Sequence, residues 1–305
     1  MNGGIGAVGE GLFELGLDED PASTELRRGL GGDAANVLVM AARLGVPARL
    51  CARVGDDALG RLLRNQWRLA GVDVETISVD PDAATGIYVN ERRLDGSHQF
   101  YYHRQLSAGS RLAPEDVTDA FLAGIDVLFS TGVTLAISAT AEEAARRAAK
   151  RAKAAGATVA FAVNYRPMLG GDPEAVLSSA RAADVVFASV EDLELMLDVS
   201  DPGEAARALR DRCSEVVMTA GDQGAAVDTG AGLRWLRAPS VAAVDTAGAG
   251  DALAGAYLAS RLNGHEPVKA LAFGVAAAAL SCQQFGAALS YPSAGAVDHL
   301  AKTIQ

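Results

Sequence analysis

Residues Asp245 to Asp251 read DTAGAGD, and the amphipathic sequence ALAGAYLASRL follows directly. Small residues leave backbone amides accessible, and the first turn of a helix contains N–H groups without intrahelical partners. Because Gly248 and Gly250 flank Ala249, three successive amides can point into one concavity. The stretch therefore predicts an anion-binding turn at the start of a helix, although Asp251 could also serve only as the cap of that helix.

A carboxylate at the edge of an anion site needs a chemical reason, since it repels a bound phosphate. The arrangement is explained if Asp251 accepts a proton from an attacking hydroxyl group while the amides stabilise charge on a transferring phosphoryl group. The sequence GxxxxGK[ST] is absent from the chain, so this is not P-loop chemistry.

The rest of the chain alternates short apolar runs with helical patterns. Strands separated by helices predict βαβ units around a parallel sheet, in which ligands bind beyond the carboxyl ends of the strands. Open α/β sheets often reach this chain length as one domain, and we expect a single domain over residues 1–305. The predicted strands are LCARV near Arg49, DVLFST from Asp126, TVAFAV from Thr158, DVVFAS from Asp184 and EVVMTA from Glu215.

Two further segments predict helices. GGDAANVLVMAARLG, residues 31–45, reads as a glycine turn, a helix and a glycine stop. Asp33 could simply cap this helix; alternatively, Asp33 and Asn36 offer hydrogen bonds to a polyol while Gly32 lets the ligand approach the backbone. A second helix is predicted from Thr140 to Gly156, with a capping box that begins at Thr140.

The segment from Gly86 to Arg104, GIYVNERRLDGSHQFYYHR, alternates apolar and polar residues on either side of Asp95-Gly96. This pattern predicts a β-hairpin with a two-residue turn. Two strands alone are marginally stable in water, so the hairpin is expected to belong to a small sheet. We interpret it as a lid over the main sheet, formed by about residues 11–30 and 85–106, whose apolar face predicts a homo-oligomer.

The first residues contain GIGAVG, which matches the dinucleotide fingerprint GxGxxG. That fingerprint needs a strand before it, and a match that starts at Gly4 has no room for one. We therefore interpret IGAVGE as the first strand and regard a dinucleotide oxidoreductase as a remote alternative.

Composition excludes several classes of protein. The formal net charge of -11 argues against a nucleic-acid or membrane-surface binder, because both partners are anionic. Three widely separated cysteines predict neither a disulfide framework nor a metal site, which is typical of a cytoplasmic protein. The N-terminal sequence has no signal-peptide pattern, and the apolar run from Ala270 to Cys282 is too short to span a bilayer and predicts a buried helix. The four histidines lack metal-binding spacing, and no GxSxG appears.

GGDAAN followed by ARLG, together with DTAGAGD, resembles the two signatures of the ribokinase-like (pfkB) carbohydrate kinases. The resemblance covers essentially the whole chain. It implies a Rossmann-like three-layer α/β fold with a β-sheet lid, phosphotransfer to an alcohol group, and ATP and Mg²⁺, with a monovalent cation as a further option. Within the family, three stretches resemble the 2-keto-3-deoxygluconate kinases: FYYHRQLSAGSRL from Phe100, STGVTLAIS from Ser130 and NYRP from Asn164. They imply that a sugar acid is converted to its 6-phospho form.

The resemblance also implies roles for individual residues. Asp251 would be the base, and Gly248, Ala249 and Gly250 would form the anion hole. The sugar would be held by Gly32, Asp33, Asn36, Tyr88, Tyr102, Arg104 and Arg166, with Arg166 pairing with the substrate carboxylate. The nucleotide would contact Asn164, Gly248, Gly250 and the stretch TAGDQG with Thr219, Gly221 and Gly224, and its adenine would lie near residues 276–286.

Arg104 and Arg166 favour an acidic substrate, because the planar guanidinium group can form two parallel hydrogen bonds with a carboxylate. Without the resemblance, Arg166 could equally be a surface residue in a proline-containing turn. Three positions depart from the family pattern: Ala162 replaces an aspartate before NYRP, Gly170 replaces a tryptophan, and Ser189 to Asp192 replace Asn-x-x-Glu. These departures leave open a kinase for a neutral sugar or a nucleoside, and a sugar-binding protein without turnover.

Overall fold

The structure, a computed structural model, describes residues 3–17, 24–92, 98–210 and 213–304. Its strands are β1 Gly4–Val8, β2 Leu12–Leu17, β3 Leu26–Gly31, β4 Ala48–Cys51, β5 Arg53–Gly55, β6 Val72–Asp73, β7 Ser78–Asp80, β8 Ile87–Arg92, β9 His98–His103, β10 Ile125–Thr131, β11 Thr158–Ala162, β12 Val185–Ser189, β13 Glu215–Thr219, β14 Ala225–Asp228 and β15 Leu233–Leu236. Its helices are α1 Asp33–Arg43, α2 Ala58–Leu69, α3 Asp119–Leu122, α4 Gly132–Ile137, α5 Ala139–Ala154, α6 Pro173–Ala182, α7 Val190–Leu197, α8 Pro202–Leu209, α9 Ala249–Leu262, α10 Pro267–Ser281 and α11 Ala294–Ala301.

The main sheet has nine strands in the order β15-β14-β13-β12-β11-β10-β1-β4-β6. The strands pair in parallel from β6 to β13, and β14 and β15 join antiparallel at one edge. Four of the five apolar runs form strands of this sheet, because parallel strands are buried on both faces and need continuous apolar sequence. The fifth, LCARV, is divided between the end of β4 and β5, which pairs with β7 in a separate two-stranded sheet. The predicted mostly parallel α/β fold is thus confirmed, and β1 takes up the GxGxxG match as predicted.

Helices cover both faces of the main sheet. On one face, α1, α9 and α10 pack together and share a core that includes Val37, Met40, Tyr257 and Leu271. On the other face, apolar residues of α5, α6 and α8 pack against β10 to β13. The predicted buried helix at Ala270 is confirmed as α10, and no helix of the described ranges is both long and apolar enough to cross a bilayer.

A second sheet of four strands, β3-β2-β8-β9, contains the segments interpreted above as a lid, and it is called the lid below. Pairing of Tyr88 with Tyr102, and of Glu14 with Tyr88, sets the register, so these three side chains lie on one face. Since residues alternate between faces, Leu15, Val89 and Tyr101 lie on the other. The predicted turn at residues 95–96 lies outside the described residues, as do lid residues 18–23.

One predicted helix start is wrong. The cap of α5 is Ser138, whose side-chain oxygen accepts from the Ala141 amide at 3.1 Å, whereas Thr140 is already helical. Both hydroxyl residues are good caps. The helix begins after the earlier one because α4 ends at Ile137, which leaves Ser138 as the link between α4 and α5.

Candidate active site

The turn before α9 is built by glycine and by the first of the two aspartates. Gly248 has φ +75°, and a Cβ there would lie 2.7 Å from Cβ of Ala287. Asp245 is buried and accepts from the amides of Ala247 and Gly286, both at 2.9 Å. Asp245 therefore fixes the turn against the loop that follows α10.

The predicted anion hole coincides with the N-terminus of α9. The Ala249 amide donates to the Thr246 carbonyl at 3.2 Å, so it is partly engaged within the turn. Gly250 and Asp251 lie in the first helical turn, where N–H groups lack intrahelical partners and the helix dipole favours an anion. Gly248, rather than Asp251, occupies the cap position, so the cap interpretation of Asp251 is wrong.

The carboxyl group of Asp251 faces α1 across the helix interface. Its Oδ2 accepts from the side-chain amide of Asn36 at 2.9 Å. Burial, together with the nearby charge of Asp33, raises the pKa of Asp251 to about 8, although Asn36 and Arg166 act in the opposite direction. A carboxyl group with this pKa can exchange a proton near neutral pH, as a general base must.

Asp33 opens α1, but it is not the cap. The cap position belongs to Gly32, which has φ +106° and lies so close to the Glu10 carbonyl that a Cβ would approach it to 2.2 Å. Asp33 Oδ2 accepts from the Asn164 side chain at 2.7 Å. Asn164 follows β11 with φ +35° and therefore joins the site next to Asp33.

These groups line a first cavity of about 500 Å³. Its wall includes all the residues predicted to hold the sugar, namely Gly32, Asp33, Asn36, Tyr88, Tyr102, Arg104 and Arg166, together with the turn from Thr246 to Asp251. The structure brings these residues together from α1, the lid, the loop after β11 and α9. Asn164 also lines this cavity, whereas the sequence interpretation places it against the nucleotide.

The two arginines of this cavity differ in environment. Arg166 is 44% exposed at its side chain, and its Nη1 lies 3.4 Å from Asp192 Oδ1. Arg104 is buried, and its Nη2 lies 2.8 Å from Oε1 of Glu10. Sequence interpretation missed Glu10, although an acidic residue just beyond the carboxyl end of the first parallel strand is a signal that could have identified it.

The lid lines the first cavity with aromatic residues. Tyr102 stacks under the Arg104 guanidinium, with 5.7 Å from the arginine carbon to the ring centroid. Tyr88 is 7% exposed and its hydroxyl group faces Glu14, which also accepts from Asn90 at 2.8 Å. Burial and the adjacent Glu14 hold the pKa of Tyr88 well above its usual value, so this tyrosine is a neutral hydrogen-bonding group.

A second cavity, of about 640 Å³, lies on the other side of the α9 turn. It is lined by the predicted nucleotide residues Thr219, Gly221 and Gly224. Ala278, Ala279 and Cys282 of the predicted adenine region also line it. Thr246, Ala249 and Gly250 line both cavities, so the helix N-terminus is the point at which the two meet.

The family departures have local structural roles. Ala162 ends β11, and Gly170 has φ +73° in the turn that leads to α6. Ser189 caps α7 by accepting from the Asp192 amide at 2.9 Å. Burial raises the pKa of Asp192, and the Arg166 guanidinium opposes that shift. Asp192 stands at the position where the family pattern has glutamate.

The sequence of the chain is similar to those of known carbohydrate kinases. The profile of the pfkB family carbohydrate kinases matches residues 8–294. A 2-dehydro-3-deoxygluconokinase from Thermoproteus tenax is 37% identical over an alignment 313 residues long that covers 98% of this chain and 94% of the relative.

Solved structures give the same result. A structure from E. coli, described as a ribokinase II in complex with ATP and Mg²⁺, has a TM-score of 0.89 at 25% identity and covers 99% of each chain. An aminoimidazole riboside kinase from Salmonella enterica, complexed with aminoimidazole riboside and an ATP analogue, has a TM-score of 0.85 at 27% identity. That match covers 97% of this chain and 99% of the other.

Proposed function

The chain belongs to the pfkB family of carbohydrate kinases, and from this premise we propose that it phosphorylates a sugar acid, 2-dehydro-3-deoxygluconate, to its 6-phosphate. This compound is the 2-keto-3-deoxygluconate named above. The observation that carries the proposal is the junction of two cavities at the N-terminus of α9. One cavity contains two arginines and several groups that can hydrogen-bond to a polyol, and the other is larger and has room for a nucleotide.

Asp251 is the base in this proposal. It accepts the proton of the substrate hydroxyl while that oxygen bonds to the γ-phosphorus, and the bond from phosphorus to the departing ADP oxygen breaks. The amides of Gly250 and Asp251, with the helix dipole behind them, stabilise charge on the transferring group. The lid excludes water that would otherwise hydrolyse ATP.

Substrate selection is assigned to the first cavity. Gly32, Asp33 and Asn36 hold the sugar hydroxyls from α1, while Tyr88 and Tyr102 contact it from the lid. The substrate carboxylate pairs with Arg104 and Arg166, whose charges are also needed because the chain as a whole is acidic.

ATP occupies the second cavity against Thr219, Gly221 and Gly224, with its phosphates at Gly248 and Gly250. Mg²⁺ would be held mainly by these phosphates, and we propose Asp192, at the position of the family's glutamate, as the carboxylate that would assist it. Bound there, the metal neutralises charge on the phosphates. A monovalent cation stays a prediction, tested by comparing turnover in potassium and sodium buffers.

The experiment is a comparison of ADP release from Mg-ATP with 2-dehydro-3-deoxygluconate, fructose, ribose and adenosine. We expect turnover with the sugar acid to exceed the others by at least about tenfold, because only this substrate gains a charge-assisted pair with the arginines. Equal or faster turnover of a neutral substrate would contradict the assignment.

Arg166→Met tests the carboxylate pair directly. It removes the charge and keeps the stem, so we expect KM for the sugar acid to rise by about tenfold or more while KM for ATP stays within about twofold. Arg146→Met on α5 is the matched control, since that side chain is also 44% exposed but, within the described part of the chain, pairs only with Glu142 on its own helix. A rise in KM for ATP as large as that for the sugar acid would refute the role of Arg166.

A neutral sugar or a nucleoside is the second candidate. The likeness to the aminoimidazole riboside kinase favours it, since that protein binds a riboside in the same fold. The substrate comparison and Arg166→Met separate the two, because a kinase for neutral substrates is indifferent to the loss of Arg166.

The lid also supports a homo-oligomer. Its face away from the cavity carries Leu15, Leu26, Val89 and Tyr101, of which Leu26 is 54% and Tyr101 46% exposed. An apolar sheet face of this kind is stabilised when a second copy covers it. We place the enzyme in the cytoplasm because it uses ATP and because Cys51, Cys213 and Cys282 are free.

A further inference from the structure

Glu10 and Arg104 form a buried ion pair in the wall of the first cavity. Glu10 lies two residues after the end of β1, and Arg104 directly follows β9 of the lid. Their charged atoms lie 2.8 Å apart, and their side chains are 1% and 7% exposed. The pair therefore joins the lid to the main sheet at the place where a substrate carboxylate would bind.

The pair is incomplete as a hydrogen-bonding unit. Both terminal nitrogens of Arg104 and both carboxyl oxygens of Glu10 lack an aligned hydrogen-bond partner within the described ranges. Buried polar groups are normally hydrogen-bonded, so such atoms in a cavity wall are suited to contact a bound ligand. Glu10 thus neutralises Arg104 by charge while leaving the guanidinium fork available for a carboxylate.

We propose that Glu10 competes with the substrate carboxylate for Arg104 and thereby makes the affinity for sugar acids fall as pH rises. The inference rests on the proposed function, since it requires an acidic substrate. A neutral substrate would gain nothing from Arg104 and would not sense the charge of Glu10.

The surroundings of Glu10 set the pH range over which the affinity for a sugar acid is expected to change. Burial raises the pKa of Glu10 to about 7; Asp33 acts in the same direction, and Arg104 opposes it. Tyr102 is the other titratable group facing Glu10, and Asp251 and Arg166 line the same cavity. Below about pH 7, protonated Glu10 leaves the Arg104 charge uncompensated, and the substrate carboxylate binds well. Above it, the pair is neutral and the carboxylate is also repelled by Glu10.

The test measures the dissociation constant of 2-dehydro-3-deoxygluconate by calorimetry at pH 6 and pH 8. ATP is left out, so that no turnover occurs. Both proteins carry Asp251→Asn, which removes a second titrating carboxyl group, and one also carries Glu10→Gln. With Glu10 present, we expect the affinity for the sugar acid to fall about tenfold between pH 6 and pH 8. The reason is that most Glu10 side chains are protonated one pH unit below the pKa and most are ionised one unit above it. Because an amide does not titrate, the affinity of the Glu10→Gln protein should change by less than about twofold, and at pH 8 this protein should bind about tenfold more tightly.

Asp116→Asn is the matched control. Its carboxylate is similarly buried, at 4% exposure, and pairs with Arg53 at 2.7 Å outside the cavity. This substitution should leave the pH dependence of sugar-acid binding unchanged. If Glu10→Gln does not fold, calorimetry of the Asp251→Asn protein in buffers of different ionisation enthalpy replaces it, and proton uptake at pH 7.5 is expected with the sugar acid.

Three results would overturn the proposal: weaker binding by Glu10→Gln at both pH values, a pH profile that Glu10→Gln does not alter, or no proton uptake. Failure of the proposed function looks different. In that case no sugar acid binds or turns over at any pH, whereas failure of the Glu10 inference alone leaves a sugar acid that binds with unaltered pH dependence.

Discussion

The carboxyl group of Asp251 lies against α1, where Asn36 donates to it and Asp33 is close enough to disfavour its charge. Its folded pKa of about 8 lies far above the ordinary value of 3.8. Between these two pH values the folded chain holds a proton that the unfolded chain has lost, so stability decreases as pH rises. The site is therefore expected to lower the stability of the protein in the pH range in which the enzyme works.

Asp251→Asn should remove this cost. We expect the variant to be more stable than the native sequence at pH 8, by about 1 kcal/mol or more, with the difference shrinking towards pH 4 where both side chains are neutral. Urea unfolding at the two pH values measures it. Glu10 titrates in the same direction, but it is present in both proteins and cancels in the difference.

An equal or lower stability of Asp251→Asn at pH 8 would mean that the Asp251 carboxylate is not disfavoured in the fold. The amide still donates to or accepts from Asn36, so the comparison does not depend on losing that contact. Asp116→Asn serves as the reference for loss of a buried carboxylate that is paired with an arginine, and it should be destabilising.

At the level of elements, the two glycines at the N-terminus of α9 have different roles, one in stability and the other in catalysis. Gly248 needs its positive φ and its close approach to Ala287, whereas a Cβ on Gly250 would meet nothing within 4 Å. Gly250 nevertheless lines both cavities, and Cβ atoms of a helix point towards its N-terminus. The two glycines of DTAGAGD are therefore required for different reasons.

Gly248→Ala and Gly250→Ala form a matched pair of tests. Gly248→Ala should lower the free energy of unfolding by about 2 kcal/mol or more through strain and overlap. Gly250→Ala should leave stability unchanged or raise it by up to about 1 kcal/mol, because alanine favours a helix. Its turnover should fall at least about tenfold, since a methyl group would enter the phosphoryl site. Thermal unfolding and ADP release check both, and full activity of Gly250→Ala would contradict the anion hole.

At the scale of the whole molecule, the lid is the surface on which we expect a second copy to bind. Leu26→Asp would place a charge in the apolar outer face, and we expect it to convert a dimer into a monomer by light scattering. Leu69→Asp on α2 is the control, because Leu69 is 81% exposed and lies outside the lid. A native protein that is monomeric at every concentration would refute the oligomer.

Much of this architecture could be predicted from sequence, because local patterns carry it. Apolar runs predict the central strands, and DTAGAGD predicts the helix start. The Glu10 and Arg104 pair could not be predicted in this way, since it joins residues 94 positions apart, a separation that no periodicity encodes. The sequence pattern places Asn164 with the nucleotide, because its contact with Asp33 depends on how β11 and α1 meet in space. The predicted cap of α5 is displaced by two residues because Ser138 and Thr140 are equivalent as sequence signals.

The central claim is that Asp251 accepts the proton of a sugar-acid hydroxyl at the N-terminus of α9. The most direct measurement is kcat for ADP release from Mg-ATP with 2-dehydro-3-deoxygluconate, for the native chain and for Asp251→Asn. The account predicts a loss of about 10² to 10⁴ in the variant, which still folds and still binds the sugar acid. A variant that retains native turnover would contradict the assignment of the base, and a native chain that releases no ADP with this substrate would contradict the proposed reaction.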